Sequence, residues 1–178
     1  MSLDALRESL PAYAKDLSLN LSSLAAETGL SEQQKWGCFV AAAYAVGSGP
    51  VIKAVNASAS DAGLSPEALE AAKGAAAIMA MNNVYYRALH IMRTGEEYRT
   101  LPARLRMTLI GNPGAPKDDF ELWSLAVSAV NGCGMCMDAH EAELKKHGFS
   151  NVQIQAALRI AAVVNAVSRV VQAEAAAA

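Results

Sequence analysis

The strongest constraint on the fold is a pair of backbone punctuation marks that recurs at one fixed spacing. Gly47-Ser-Gly49 returns as Gly132-Cys-Gly134, and Gly63-Leu-Ser65 returns as Gly148-Phe-Ser150, both after 85 residues. Glycine stops a helix by taking a left-handed conformation, and Ser starts one by accepting a hydrogen bond from the first turn. Two such marks at one offset place the same helix ends twice, as a duplicated unit does. On the same shift Ala41 meets Ala126, Ala71-Ala72 meet Ala156-Ala157, and Ala76-Ala77 meet Ala161-Ala162. These matches weigh less, because 37 of the 178 residues are Ala. The expectation is a single domain, 1–178, with an internal duplication of about 30–93 and 115–172. Gly111-Asn-Pro-Gly-Ala-Pro-Lys117 leads into the second copy.

Between these marks the pattern is helical. Leu3, Leu6 and Leu10 share one helix face, and Leu17, Leu21 and Leu24 form a similar stripe after Pro11. Ser31-Glu-Gln-Gln34 reads as a capping box opening a helix through Trp36, Cys38 and Tyr44. A further helix is predicted from about Val51 to Asp61, and Ser65-Pro66 starts another that runs to about Arg93. Asn82-Asn83, midway along it, calls for a break or a buried polar contact. No stretch alternates apolar and polar residues as a half-buried strand does. The predicted fold class is all-α, a helical bundle built from two similar helical units.

Composition narrows the function. The formal net charge of −2 provides no basic field for nucleic acid. An apolar share of 53% excludes a disordered tail, and three Cys exclude a disulfide-rich secreted scaffold. Residues Met1 to Leu10 mix charges of both signs, unlike a signal peptide. The apolar stretch Ile154 to Val171 is interrupted by Gln155, Arg159, Asn165, Ser168 and Arg169, so no membrane span is expected. The expected setting is the cytoplasm, where closely spaced cysteines mean redox chemistry or metal binding.

Reactive groups concentrate in the second copy. Cys133-Gly-Met-Cys136 follows the turn dipeptide Asn131-Gly132 and precedes a helix predicted over Met137 to Lys146. Cysteines three apart on a helix's first turn face one side and reach disulfide distance, and the helix N-terminus favours thiolate. His140 lies one turn beyond Cys136. Counting from the turn, Glu121 lies about ten residues before it and His140 about eight after. An antiparallel hairpin then sets them at heights differing by roughly 3 Å. A carboxylate orienting an imidazole that takes a thiol proton is a workable relay. On the 85-residue shift Cys133, Cys136, His140 and Glu121 fall on Ser48, Val51, Val55 and Trp36, none of which does such chemistry.

Blander readings compete at the same positions. Asp118-Asp-Phe-Glu121 also fits a capping box with Asp118 as N-cap, and His140 also fits a solvated helix face. Cys133, Cys136 and His140 supply only three zinc ligands, so no resident metal is expected. Cys38 reads as a core residue, and His147 as a favourable contact at a helix C-terminus.

Glu121-Leu-Trp-Ser, followed by Ala129-Val-Asn-Gly-Cys133-x-x-Cys136-x-x-x-His140-Glu141, resembles the alkyl hydroperoxide reductase AhpD family, part of the carboxymuconolactone-decarboxylase-like all-α superfamily. Leu10-Pro-Ala-Tyr-Ala-Lys-Asp16, Leu19-Asn-Leu-Ser-Ser23, Gly74-Ala-Ala-Ala-Ile-Met79, Met81-Asn-Asn-Val84 and Gly111-Asn-Pro-Gly114 extend the likeness along nearly the whole chain. The resemblance implies a thiol-dependent antioxidant enzyme, usually a homotrimer, with no tightly bound cofactor. Its cysteine pair is reduced by a dihydrolipoyl group on a lipoylated acyltransferase subunit. It in turn reduces the peroxiredoxin AhpC and, weakly, alkyl hydroperoxides. Carried onto this chain, Cys136 is the attacking thiol, forming the mixed disulfide with peroxiredoxin or a sulfenic acid with peroxide. Cys133 is its disulfide partner and proton donor, and Glu121 and His140 are the relay.

One departure stands out: where well-known members carry a second His directly before the later Cys, this chain has Met135. Retained disulfide exchange with weaker peroxidase activity, or a shifted pH optimum, is the expected consequence. Two other functions fit the residues less fully. One is a superfamily enzyme acting on a carboxylated lactone, with the Cys pair incidental. The other is a thiol or zinc sensor that binds a partner through its Ala-rich helices.

Overall fold

In a computed structural model of the chain, which describes residues 1–177, helices follow one another with no strand among the described residues. They are α1 (Leu3–Glu8), α2 (Lys15–Ala25), α3 (Glu32–Val46), α4 (Gly49–Asp61), α5 (Pro66–Ile91), α6 (Gly95–Arg99), α7 (Thr108–Gly111), α8 (Lys117–Val130), α9 (Gly134–Lys146) and α10 (Asn151–Ala177). A single 3₁₀ turn, Ala12–Ala14, precedes α2.

Two units of three helices make the bundle, α3 to α5 and α8 to α10. Each helix of the second starts 85 residues after its counterpart in the first. Local chemistry sets these starts. Ser31 and Gln34 cap α3 reciprocally, and Ser150 and Gln153 do the same for α10. The Ser65 hydroxyl accepts from Ala68 N, with Pro66 at the first helical position of α5. The turns after α3 and α8 each hold a left-handed glycine, Gly47 at φ 81° and Gly132 at φ 67°. After α8 this closes a Schellman motif, in which Cys133 N donates to Ser128 O and Gly132 N to Ala129 O. That motif is what delivers Cys133 to its place.

Contacts between helices repeat as the starts do. The α3–α5 packing has its counterpart in α8–α10, α5–α8 in α10–α3, and α5–α9 in α10–α4. Small side chains let the helices approach: Ala41, Ala42, Ala43, Ala72, Ala75, Ala156 and Ala157 are fully buried. α10 is long and apolar enough to cross a bilayer, yet its Ile154, Ala157, Ile160, Ala161 and Val164 are buried in the bundle core. α1 and α2 pack over α4 and α10, whereas the α5–α9 side carries the short α6 and α7.

α3 and α8 approach closely at Gly37 on α3. A Cβ there would fall within the indole of Trp123 on α8, whose Nε1–H donates to Gln34 O at 3.1 Å. Gly37→Ala is therefore expected to destabilise by about 1–3 kcal/mol, since an overpacked core must shift. For a chain of this size that is a melting temperature lower by roughly 2–12 °C. An unchanged melting curve would mean that Trp123 does not set the α3–α8 spacing.

Three sequence readings change in detail. α5 runs unbroken through Asn82-Asn83, so the buried contact holds rather than a break: Asn83 donates to Ser128 Oγ and accepts from Asn131 Nδ2, both at 2.9 Å. α9 starts at Gly134 rather than Met137, because the Cys133 sulfur takes the N-cap role and accepts from Cys136 N at 3.3 Å. α8 starts at Lys117, so Asp118 is not its N-cap, and the Asp118–Glu121 capping box does not form. Asp118 instead pairs with His147 Nδ1 at 2.6 Å, and the buried Asp119 accepts from the Gln33 and Gln34 amides of α3.

Candidate active site

Cys133 caps α9 and Cys136 closes its first turn; their Cα atoms lie 5.3 Å apart and their sulfurs are joined in a disulfide. The two differ in access. Cys133 is fully buried, whereas Cys136 lines a cleft of about 220 Å³ between α5, α7 and α9. Its apolar wall is made by Met79, Tyr86, Ile110 and Met135. Of the two cysteines, Cys136 is the one that borders the cleft. The backbone N–H groups at the start of α9 add positive potential around Cys136.

Glu121 and His140 meet across the α8–α9 hairpin, with Glu121 Oε2 at 2.6 Å from His140 Nδ1. Both side chains are largely withdrawn from water, at 12% and 14% exposure. A carboxylate is acceptor-only, so Nδ1 carries the hydrogen and donates, leaving Nε2 as the free ring nitrogen. His140 lies one turn beyond Cys136 on α9 and lines the same cleft, with its ring held by Glu121. The solvated-face reading of His140 does not hold. The hairpin count succeeds because α8 and α9 are antiparallel and rise equally per residue.

The other cysteine stands apart. Cys38 is fully buried in α3, and desolvation, with a smaller contribution from the Asp119 charge, pushes its thiol far above the ordinary range. It lies outside the cleft that Cys136 lines. Among the described residues no three His, Cys, Asp or Glu side chains stand in metal-holding geometry. In the first unit the positions matching Cys136, His140 and Cys133 hold buried Val51, Val55 and Ser48.

Two features of the site escaped sequence reasoning. The cleft is one, since its walls come from residues as far apart as Met79 and His140. The other is Asn82, which lines the cleft beside Cys136 and His140. Its only sequence signal is its poor fit to a helix interior.

Comparison with known proteins agrees with this geometry. The carboxymuconolactone decarboxylase family model matches residues 96–178. The chain is 64% identical over 176 residues to the alkyl hydroperoxide reductase AhpD of Hyphomonas neptunium, covering 99% of this chain and 97% of that one. It is 61% identical over 174 residues to the AhpD of Maricaulis maris, covering 98% and 99%. Against the AhpD of Streptomyces coelicolor identity is 55% over 175 residues, covering 98% and 97%. With likeness of this degree along nearly its whole length, and the Cys pair seated in an all-α bundle, the chain belongs to the alkyl hydroperoxide reductase AhpD family of the carboxymuconolactone-decarboxylase-like proteins.

Proposed function

We propose that this protein is a cytoplasmic thiol–disulfide antioxidant enzyme that takes electrons from a dihydrolipoyl group and passes them to the peroxiredoxin AhpC or to an alkyl hydroperoxide. The observation that carries the reading is the bonded Cys133–Cys136 pair at the start of α9, with Cys136 alone opening on a cleft beside the Glu121–His140 pair.

In the reductive half, a thiolate of the dihydrolipoyl group attacks Cys136 Sγ, and Cys133 leaves as thiolate. The Cys136 N–H already directed at Cys133 Sγ supports that leaving charge. The second lipoyl thiol then attacks the lipoyl sulfur of the mixed disulfide and releases Cys136, so one disulfide is exchanged for another. A wider hollow of about 520 Å³ shares Tyr86 and Met135 with the cleft and offers room for the lipoyl arm. In the oxidative half, the Cys136 thiolate attacks the disulfide of oxidised AhpC. Cys133 then resolves the mixed disulfide, and AhpC leaves reduced. With a hydroperoxide, Cys136 takes the terminal oxygen as sulfenic acid and the alcohol leaves. Cys133 condenses with the sulfenic acid, releasing water and restoring the disulfide. Glu121 and His140 carry the proton from the Cys136 thiol to the leaving group.

The same proposal takes the chain as one domain, 1–178, in which only the second of two copied segments, 30–93 and 115–172, kept the chemistry; Ala178 lies outside the described residues. It works as a homotrimer, whose subunit contacts would cover exposed apolar groups such as Ile91, Met92 and Leu101.

Reconstitution tests the reading. Dihydrolipoamide, its dehydrogenase, NADH, AhpC and an alkyl hydroperoxide are combined with the protein, and NADH loss is followed. Steady consumption that stops when this protein is left out is expected. A reduced protein that stays reduced in the presence of both hydroperoxide and oxidised AhpC would refute it. Turnover of a carboxylated lactone, undiminished by loss of both cysteines, would support the lactone reading instead.

A further inference from the structure

Asn82 and Asn83 are adjacent in α5 and do different things. Asn83 is tied into Ser128 and Asn131 and holds the α8–α9 turn against α5. Asn82 lines the cleft. It is only 5% exposed, it lines the wall with Cys136 and His140, and its Oδ1 is buried with no hydrogen-bond partner in the protein. An unpaired buried carbonyl oxygen is destabilising until a partner reaches it, and the cleft is the side from which one can arrive.

The fold does not need this amide. On the 85-residue shift Asn82 falls on Val167 of α10, which is fully buried. Around it Cys136 and His140 fall on Val51 and Val55. The bundle thus contains its own control, a matching site that packs with valine at every one of these positions. The polar set of Cys136, His140 and Asn82 occurs together on one side only.

We propose that Asn82 Oδ1 is the substrate-positioning acceptor for the terminal O–H of an alkyl hydroperoxide. This deepens the peroxidase reading of the same cleft and rests on it. A hydroperoxide carries a hydrogen-bond donor on the very oxygen that a thiolate attacks, whereas a disulfide carries none. Held by Asn82, with its alkyl group against Met79, Ile110 and Met135, the substrate turns its O–O bond toward Cys136. The Cys136 thiol proton passes to His140, and the thiolate then attacks the terminal oxygen. The S–O bond forms as the O–O bond breaks. The oxygen pair is reduced by two electrons and the sulfur is oxidised by two. The leaving alkoxide takes the proton from His140 and departs as alcohol. The terminal hydrogen stays in the Cys136 sulfenic acid, still donated to Asn82.

Asn82→Leu and Asn82→Val test this, the second reproducing the residue of the matching site. For each variant two rates are measured: reoxidation of the reduced protein by cumene hydroperoxide, and reduction of the Cys133–Cys136 disulfide by dihydrolipoamide. The expected result is a fall of tenfold or more in the ratio of the first rate to the second, with a melting temperature equal to or above wild type. A ratio unchanged within twofold would overturn the inference, as would a loss concentrated in the dihydrolipoamide step, which would assign the acceptor to the carrier's amide N–H. A lowered melting temperature with both rates falling together would make Asn82 structural and also overturn it. Wild-type protein that cumene hydroperoxide never reoxidises would remove the peroxidase reading itself, a result visible before any variant is made.

Discussion

Cys136→Ser is expected to reduce lipoyl-coupled turnover to the uncatalysed background. A serine hydroxyl is almost wholly protonated at neutral pH and forms no sulfur–sulfur bond, so neither half of the cycle proceeds. Cys133→Ser is expected to stop turnover too, with a different trace. Cys136 still attacks, but nothing resolves the product, and a Cys136 adduct with AhpC accumulates that mass spectrometry detects. The fold is expected to survive both changes. The lost crosslink spans only three residues in sequence, and a loop that short contributes about 2 kcal/mol in the chain-entropy view. Serine at 133 retains the capping role, since its oxygen accepts from the first turn as the sulfur does. Turnover that persists in Cys136→Ser would mean that another residue carries the electrons. Cys38 is no candidate, because it is sealed in the core with its thiol held protonated by burial.

The second large effect belongs to the relay. His140→Gln is expected to lower the rate of Cys136 oxidation by about 10²–10⁴-fold, the usual worth of a positioned general acid–base group. Glu121→Gln removes the charge that fixes the imidazole while leaving its shape, and its loss should fall in the same range or below. The two are joined at 2.6 Å, and for a relay that acts as one unit the double variant is expected to be no worse than the weaker single variant. Rate measurements across pH distinguish this from a packing defect. A relay shifts the pH profile, whereas a loosened hairpin lowers the rate evenly. Multiplied losses in the double variant would mean that Glu121 and His140 act separately.

What the chain reveals before folding follows from how local each signal is. The Ser31–Gln34 box, the Ser65-Pro66 start and the left-handed Gly47 and Gly132 are decided within a few residues, and the structure has them as read. The Glu121–His140 contact is also legible, because one turn joins two helices whose rise is fixed. The start of α9 is not, since helix preferences do not anticipate a cysteine sulfur as N-cap. Nor is the place of Asp118 and Asp119. Their partners His147, Gln33 and Gln34 come from elements that only tertiary packing brings near. The cleft needs α5, α7 and α9 at once, so the role of Asn82 depends on the assembled bundle.

Thiolate absorbance, followed against pH in the reduced Cys133→Ser protein, tests the central claim most directly. Cys38 is sealed in the core, and the account expects Cys136 to ionise below the ordinary cysteine value of about 8.5. That midpoint should rise when Glu121→Gln or His140→Gln is added. A midpoint at or above the ordinary value, or one that neither substitution moves, would contradict an activated Cys136 served by these two side chains.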